Sequence, residues 1–399
     1  MSLNNTPVAD RVHIGIFGRR NAGKSSLINA ITGQNLAIVS EIEGTTTDPV
    51  SKAMELLPLG PVVIIDTPGL DDIGELGRLR VNKTFQVLNK TDIAILVIDS
   101  TLGMNDFDKA VLDRIKDKNI PYIIVYNKCD LSGISEKEEN CICVSTVTGE
   151  NINELKEALP KLVKENKAEY PIISDKVTSD DSVVLVIPID SSAPKGRLIL
   201  PQQQTIRELL ESGCTTLVCR DSELEQTLSK LKAPPKYVIT DSQAFKKVSA
   251  VVPEDICLTS FSILFARHKG NLEQLVKGAS KIDSLKDGDC ILVSEGCTHH
   301  RQCGDIGTVK LPAWIKKYTN KEITFEFTSG TEFPYDLSKY SLIVHCGGCM
   351  LNEREMKYRI KCAADAGVPI TNYGMTIAHT NGILKRSLEI FPEVLNILK

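Results

Sequence analysis

The 399-residue sequence is short of several things, and each shortage excludes a class of protein. No apolar run approaches the roughly 18 residues that a membrane-spanning helix needs. The opening residues, MSLNNTPVAD, hold neither the basic stretch nor the apolar core of a secretion signal. A formal net charge of −4 gives no global attraction to nucleic acid or to an anionic membrane surface. Aromatic residues are only 5% of the chain, leaving few platforms on which bases could stack. Internal repeats and low-complexity tracts are missing as well. What remains, 42% apolar and 25% charged residues, is the composition of an ordinary folded protein, long enough for two or three domains. The expected location is the cytoplasm, with no membrane and no nucleic acid among the partners. Cysteine is the exception to this scarcity. There are twelve, and a reducing compartment favours metal or redox roles for them over disulfides.

Residues 11–160 alternate short β-branched runs with amphipathic stretches. RVHIGIFG, PVVIIDTPG, DIAILVIDS, PYIIVYNK and CICVS read as buried strands, and SSLINAIT and INELKEAL as helices between them. This rhythm predicts an α/β fold, a doubly wound and mostly parallel sheet. Charged KENKAEYP (Lys164–Pro171) reads as a linker. A second α/β segment follows, with strands at VVLVIPI, CTTLVC, YVIT and ICLTS. It carries no recognisable catalytic motif. Near Ser262 a third α/β segment begins, with strands at 290–294, 322–327 and 341–346. The expected domains are therefore 1–170, 171–262 and 263–399.

Gly18-Arg19-Arg20-Asn21-Ala22-Gly23-Lys24-Ser25 fits G-x-x-x-x-G-K-[ST], directly after one expected strand and opening a helix. The glycines let the backbone curl so that the amides of Asn21, Ala22, Gly23 and the following Lys24, Ser25 and Ser26 converge on phosphate. The helix N-terminus adds its partial positive charge. Lys24 is expected to reach the β- and γ-phosphates, and the Ser25 hydroxyl to hold Mg²⁺. Asp66-Thr67-Pro68-Gly69 ends another strand and places a carboxylate near Mg²⁺ and the Gly69 amide near the γ-phosphate. Asn127-Lys128-Cys129-Asp130 and Ser145-Thr146 end two more. The Asp130 carboxylate can accept from both N1–H and the 2-amino group of guanine, a donor pair adenine lacks. Asp, Asn and Gly are common in turns. Four such turns in register at strand C-termini, where α/β ligands bind, point to GTP instead.

Residues 11–165 resemble a GTPase of the TrmE–Era family, with Gly44-Thr45-Thr46-Thr47-Asp48-Pro49 as the first switch. The resemblance implies that Thr46 joins Ser25 and Asp66 on Mg²⁺, and that Lys24, Thr46 and Gly69 serve hydrolysis. Leu70 stands where Ras-like proteins have a glutamine, and a leucine cannot orient water, so intrinsic hydrolysis is expected to be slow. Relatives with this substitution recruit K⁺ through a P-loop asparagine, and Asn21 matches that position.

The third segment holds Gly296-Cys297-Thr298-His299-His300-Arg301-Gln302-Cys303 after one strand and His345-Cys346-Gly347-Gly348-Cys349 at the end of another. Two short windows thus contain four of the twelve cysteines and three of the six histidines. In a parallel sheet both lie on the same edge. Spacing alone leaves a structural Zn site (Cys297, His299, Cys346, Cys349), an iron–sulfur cluster and a thioredoxin-type dithiol open. His300 and His345 also suit plain structural roles, and Cys303 is a weaker ligand candidate than Cys297. The remaining cysteines (Cys129, Cys141, Cys143, Cys214, Cys219, Cys257, Cys290, Cys362) read as small core residues.

Taken together, Cys297-x-His299, a 45-residue gap and His345-Cys346-x-x-Cys349 resemble the C-x-H…H-C-x-x-C signature of the FeFe-hydrogenase maturation GTPases, the HydF family. The resemblance runs the whole length: GTPase, dimerisation domain, cluster-binding domain. It implies a 4Fe-4S cluster on Cys297, Cys346 and Cys349, with His299, His345 or Asp305 at the fourth position. It also implies a homodimeric scaffold or chaperone that receives a diiron precursor from radical-SAM maturases and passes it to apo-hydrogenase, with GTP as a switch. The alternative is an RNA-directed GTPase of ribosome assembly or tRNA modification with a C-terminal Zn site. That reading calls for a basic face, and residues 263–399 balance 18 Lys and Arg against 15 Asp and Glu.

Overall fold

The computed structural model describes residues 8–33, 49–68, 84–132, 140–163, 170–189, 198–296, 305–330, 332–334, 336–348 and 351–398. The chain divides into two compact units, 1–166 and 167–399.

The first unit is built on a six-stranded sheet. Its strands are β1 (Val12–Phe17), β2 (Val50–Leu56), β3 (Gly60–Asp66), β4 (Ile93–Asp99), β5 (Tyr122–Asn127) and β6 (Cys141–Val144), in the order β2-β3-β1-β4-β5-β6. All pairs are parallel except β2 with β3. Every residue of β4 is buried, as suits a central strand covered on both faces. Two apolar clusters line the two faces, one including Ile14, Ile16, Leu27 and Leu155, the other Phe17, Ile65, Leu96 and Val111. The helix Asp106–Asp117 is started by a reciprocal cap between Asn105 and Asp108.

The second unit contains two four-stranded parallel sheets. β7 (Ser182–Val186), β8 (Thr215–Cys219), β9 (Tyr237–Thr240) and β10 (Cys257–Ser260) stand in the order β10-β9-β7-β8. β11 (Cys290–Ser294), β12 (Thr324–Thr328), β13 (Leu342–His345) and β14 (Ile370–Asn372) stand in the order β12-β11-β13-β14. The two sheets share one apolar core: Val184 and Ile239 from the first belong to the same cluster as Leu292 and Ile343 from the second. Two sequence segments with a sheet each therefore make one compact body. Its entry, residues 170–177, is fastened by polar contacts. Glu208 accepts the amides of Ile172, Ile173 and Ser174, and Arg267 forks onto Asp175. Among the described residues no helix is long and apolar enough to cross a membrane.

Nine cysteines lie among the described residues. Cys214 and Cys219 are buried in the core of the second unit, while Cys257, Cys290 and Cys362 pack against it half-exposed. Cys129 lies outside that pattern: its thiol donates to Glu150.

Candidate functional site

In the first unit β1 runs into the glycine-rich loop, and the loop needs its glycines. A Cβ on Gly18 (φ +142°) would lie 2.2 Å from the Val97 carbonyl oxygen, and one on Gly23 (φ +91°) 2.0 Å from Asn127 Nδ2. The helix Lys24–Thr32 begins at once. Lys24 is buried and folds back across the loop, its Nζ donating to the carbonyls of Gly18 (2.9 Å) and Arg19 (2.8 Å). Arg19 is itself held, with Nη2 on Gly103 O and Nε on the buried Asp108.

The residues expected around Mg²⁺ come from two elements that meet. Ser25 Oγ, in the first turn of the helix, donates to Asp66 Oδ2 at the end of β3 across 3.3 Å. Asp66 Oδ1 is buried without a hydrogen-bond partner. Burial pushes the Asp66 carboxyl up, against the pull of Lys24 and the Ser25 hydroxyl. A desolvated carboxylate oxygen with no donor suits a hard cation. Thr46, Gly69 and Leu70 lie outside the described residues.

At the end expected to meet the base, Asn127 stitches three segments. Its Nδ2 donates to the Ala22 carbonyl in the P-loop (3.1 Å), and its Oδ1 accepts from the Thr146 amide (3.3 Å). Lys128 adopts φ +67° and pairs with Asp99. Burial works to raise the Asp99 pKa, but hydrogen bonds from Lys128 and Thr101 outweigh it and hold the carboxyl below its usual range. Asp130 is exposed beyond the strand end. Ser145 is buried and its Oγ caps the amides of Val147 and Thr148. Asn21, also exposed, takes φ +60°, a conformation asparagine tolerates well, and Ser26 is exposed in the first helical turn. The residues expected to bind nucleotide lie at or just after the C-terminal ends of β1, β3, β5 and β6, the edge where open α/β sheets bind ligands.

In the second unit the two cysteine windows follow adjacent strands. β11 and β13 pair in parallel with Ser294 opposite His345. The Gly296 amide, one residue before Cys297, donates to Cys346 Sγ across 3.0 Å, and the Gly348 amide points at the same sulfur from 3.4 Å. Amide donors of this kind favour a thiolate and are what a cluster-ligating sulfur accepts. The donor chemistry of the described part thus fits an iron–sulfur site. Cys297, His299, Cys303 and Cys349 lie outside the described residues. Among the described residues no group of three or more His, Cys, Asp or Glu could hold a metal ion.

His345 and Asp305, two of the three residues considered for the fourth position, are already engaged. His345 is fully buried, with Nδ1 2.7 Å from the Cys346 carbonyl and Nε2 3.0 Å from Arg359 Nη1. A guanidinium only donates, so Nε2 accepts and Nδ1 carries the hydrogen. In this arrangement no ring lone pair is left for iron. Burial first, then the Arg359 charge, pushes the His345 pKa down to about 3, so the ring is neutral. Asp305 Oδ2 caps the turn starting at Ile306, accepting from Thr308 N and Oγ1.

Sequence reasoning missed the groups behind this edge. Tyr373 donates to Glu295 at 3.2 Å, and burial, reinforced by the charges of Glu295, Cys346 and Asp305, drives its phenol far up, so it stays a neutral donor. Glu355 and Arg359 form a buried pair on the helix Glu353–Asp365. A signal for them existed: Arg359 shares a helical face with Met356, Ile360 and Ala363, an apolar stripe where a lone surface cation does not belong.

Three family models match. "50S ribosome-binding GTPase" takes in residues 13–128, "Hydrogen maturase F dimerization domain" residues 172–270 and "Hydrogen maturase F tetramerization domain" residues 273–390. The two maturase models together span more than half of the chain. Curated relatives include tRNA modification GTPases MnmE from Nitrosomonas europaea, 35% identical over 38% of this chain and 34% of that protein, and from Endomicrobium trichonymphae, 37% identical over 41% and 39%. The chain spans little more than a third of the length of these relatives. Among solved structures, Era of Aquifex aeolicus bound to GDP and aluminium fluoride covers 52% of this chain and 92% of its own, at 20% identity and a TM-score of 0.35. A P-loop GTPase domain is thus joined to two domains described for hydrogen maturase F, and the chain belongs to the hydrogen maturase F family.

Proposed function

We propose that this chain is a GTP-hydrolysing scaffold that holds a 4Fe-4S cluster and delivers a diiron precursor to apo FeFe-hydrogenase. The observation that carries the reading is the contact between Gly296 N–H and Cys346 Sγ, which sets the main chain leading to Cys297 against the sulfur of the second window. Cys297, Cys346 and Cys349 are the proposed cluster ligands. Held by these three cysteines, the cluster would supply an iron open to an external ligand of the precursor. The chain's own part is to present the thiolates, donate amide hydrogens to Cys346 and keep His345 neutral beside it. Both nitrogens of His345 are engaged but only Oδ2 of Asp305 is, so His299 and Asp305 are the remaining proposals for the fourth position.

In the first unit, Lys24 and the P-loop amides, including those of Asn21 to Ser26, bind the phosphates. Ser25, Thr46 and Asp66 hold Mg²⁺, and Asn21 holds K⁺. Asn127, Lys128, Asp130, Ser145 and Thr146 select guanine, and Lys24, Thr46 and Gly69 serve hydrolysis. Bound nucleotide acts as a switch, since switch segments ordered by a γ-phosphate are a common lever between domains. The dimerisation domain supports self-association, and radical-SAM maturases and apo-hydrogenase are the proposed partners. The tRNA work in the relatives' name is not carried over, because the likeness to them spans only about two fifths of the chain.

The test is iron, sulfide and EPR analysis of anaerobically reconstituted protein. About four irons per chain with a reduced-cluster signal, lost in Cys297→Ala, Cys346→Ala and Cys349→Ala, is the expected result. Stoichiometric zinc without iron uptake overturns the cluster and favours the RNA-directed reading. Nucleotide assignments are tested by Asp130→Asn, which should shift preference from GTP toward xanthosine triphosphate.

A further inference from the structure

The groups behind Cys346 form a buried network with Arg359 at its centre. Its side chain is wholly buried, and the guanidinium reaches four segments. Nε donates to Glu355 Oε1 (2.8 Å), Nη1 to Ser294 Oγ (3.0 Å) and to His345 Nε2 (3.0 Å), and Nη2 to the Gly330 carbonyl (2.7 Å). The Phe333 ring lies 5.2 Å from the guanidinium carbon. Ser294 and His345 are the last residues of β11 and β13, the strands that lead into the two cysteine windows. Arg359 therefore ties both strand ends from behind, and Glu355, itself buried, balances its charge.

We propose that Arg359 is a positioning residue of the cluster-binding edge: by donating to His345 Nε2 it fixes the Nδ1–H tautomer, whose hydrogen is given to the carbonyl of Cys346 and sets the turn that aims Cys346 Sγ at the Gly296 and Gly348 amides. The inference rests on the cluster reading above and deepens it. The chemistry is that of a metal site's outer layer, in which groups that touch no metal orient those that do. A planar fork of donors suits the task, because it meets Ser294, His345 and Gly330 at fixed angles. A lysine would supply the charge but not that geometry.

The experiment uses the full chain. Arg359→Lys keeps the charge and loses the fork. Arg359→Gln combined with Glu355→Gln removes both charges, so that neither is left buried alone. Folding is followed by circular dichroism, and if the double variant does not fold, Arg359→Lys carries the test. The first readout needs no iron: nitrogen NMR of histidine-labelled apoprotein reports which ring nitrogen of His345 bears hydrogen. The second is the EPR spectrum and midpoint potential after anaerobic reconstitution with ferrous iron and sulfide. Wild type should show Nδ1–H alone. Both variants should show mixed or inverted tautomers, and a potential moved to more negative values as the amide–sulfur bonds loosen. An Nε2–H tautomer in wild type overturns the proposal, as do folded, loaded variants with wild-type tautomer and potential. Full rescue by lysine also overturns it, because charge alone would then suffice. A wild-type chain that takes up zinc and no iron ends the cluster reading and this proposal together. A loaded wild type with unshifted variants ends only this one.

Discussion

Asn127 Nδ2 donates to the Ala22 carbonyl across 3.1 Å, so the end of β5 and the P-loop are held by one side chain. The same amide group accepts from Thr146, and Gly23 leaves it just enough room. The proposed phosphate and base sites are thereby tied through one side chain. Asn127→Ala leaves the Ala22 carbonyl and the Thr146 amide unpaired and should cost about 2 kcal/mol of stability. Nucleotide affinity should fall about 10- to 100-fold, through loss of the geometry as well as of the contacts. Titration with a fluorescent GDP analogue and a thermal melt measure the two effects separately.

Legibility in the sequence followed burial. β1, β3, β4 and β5 stand out because β-branched runs buried on both faces are unmistakable. β2 did not, since V-S-K-A-M-E-L is mostly helix-forming residues, and it is a strand because it lies antiparallel along the edge beside β3, largely exposed. β14 is only three residues long and carries too little pattern to detect. The P-loop GTPase domain was readable because the spacing of its glycine-rich loop is dictated by a phosphate. The Glu355–Arg359 pair has the i,i+4 spacing that surface pairs also show, and only the apolar stripe it shares with Met356, Ile360 and Ala363 hints in the sequence at its burial. The shared core of the second unit was also hidden: each segment has its own sheet, and nothing local says that Leu292 and Val184 belong to one cluster.

Asp66 illustrates a stability cost placed at the proposed Mg²⁺ position. Its Oδ1 is buried with no partner, and its pKa is raised by burial. A carboxyl whose folded pKa lies above its unfolded value binds its proton more tightly when folded, so its penalty grows as pH rises through the folded pKa. Asp66→Asn should therefore stabilise the nucleotide- and Mg²⁺-free protein by about 1 kcal/mol at neutral pH, with the difference shrinking toward pH 4. The same variant should lose the added stability that Mg²⁺ and GTP give the wild type. Melts across pH, with EDTA or with Mg²⁺ and GTP, check both parts.

Asp175 behaves in the opposite sense. Partial burial works to raise its pKa, but the Arg267 fork outweighs that and holds the carboxyl below its usual range. Arg267 also stacks on Tyr170 and Phe391, so the pair fastens the first residues of the second unit. A depressed carboxylate pKa contributes stability above the unfolded pKa near 4 that is lost as pH falls through the folded value. Asp175→Asn should cost about 2 kcal/mol at pH 7, mostly by leaving Arg267 buried without its counter-ion. The gap between variant and wild type should narrow below pH 4. Urea unfolding at pH 7 and pH 3.5 tests the sign.

Gly347 and Gly348 separate backbone strain from side-chain bulk in the turn after Cys346. Gly348 has φ +65°, and a Cβ there would lie 2.7 Å from Met356 Sδ. A Cβ on Gly347 would meet nothing within 4 Å, and its φ lies outside the left-handed region. Gly348→Ala must accept a left-handed alanine and displace Met356, and should cost about 1–2 kcal/mol. It should also pull the Gly348 amide away from Cys346 Sγ. Gly347→Ala should be neutral within about 0.5 kcal/mol. Thermal melts give the two stabilities, and the alkylation rate of Cys346, followed by peptide mass spectrometry, reports the sulfur's environment. A faster or slower rate in Gly348→Ala alone shows that the turn holds the thiol. Equal rates in both variants show that the amide contact does not govern it.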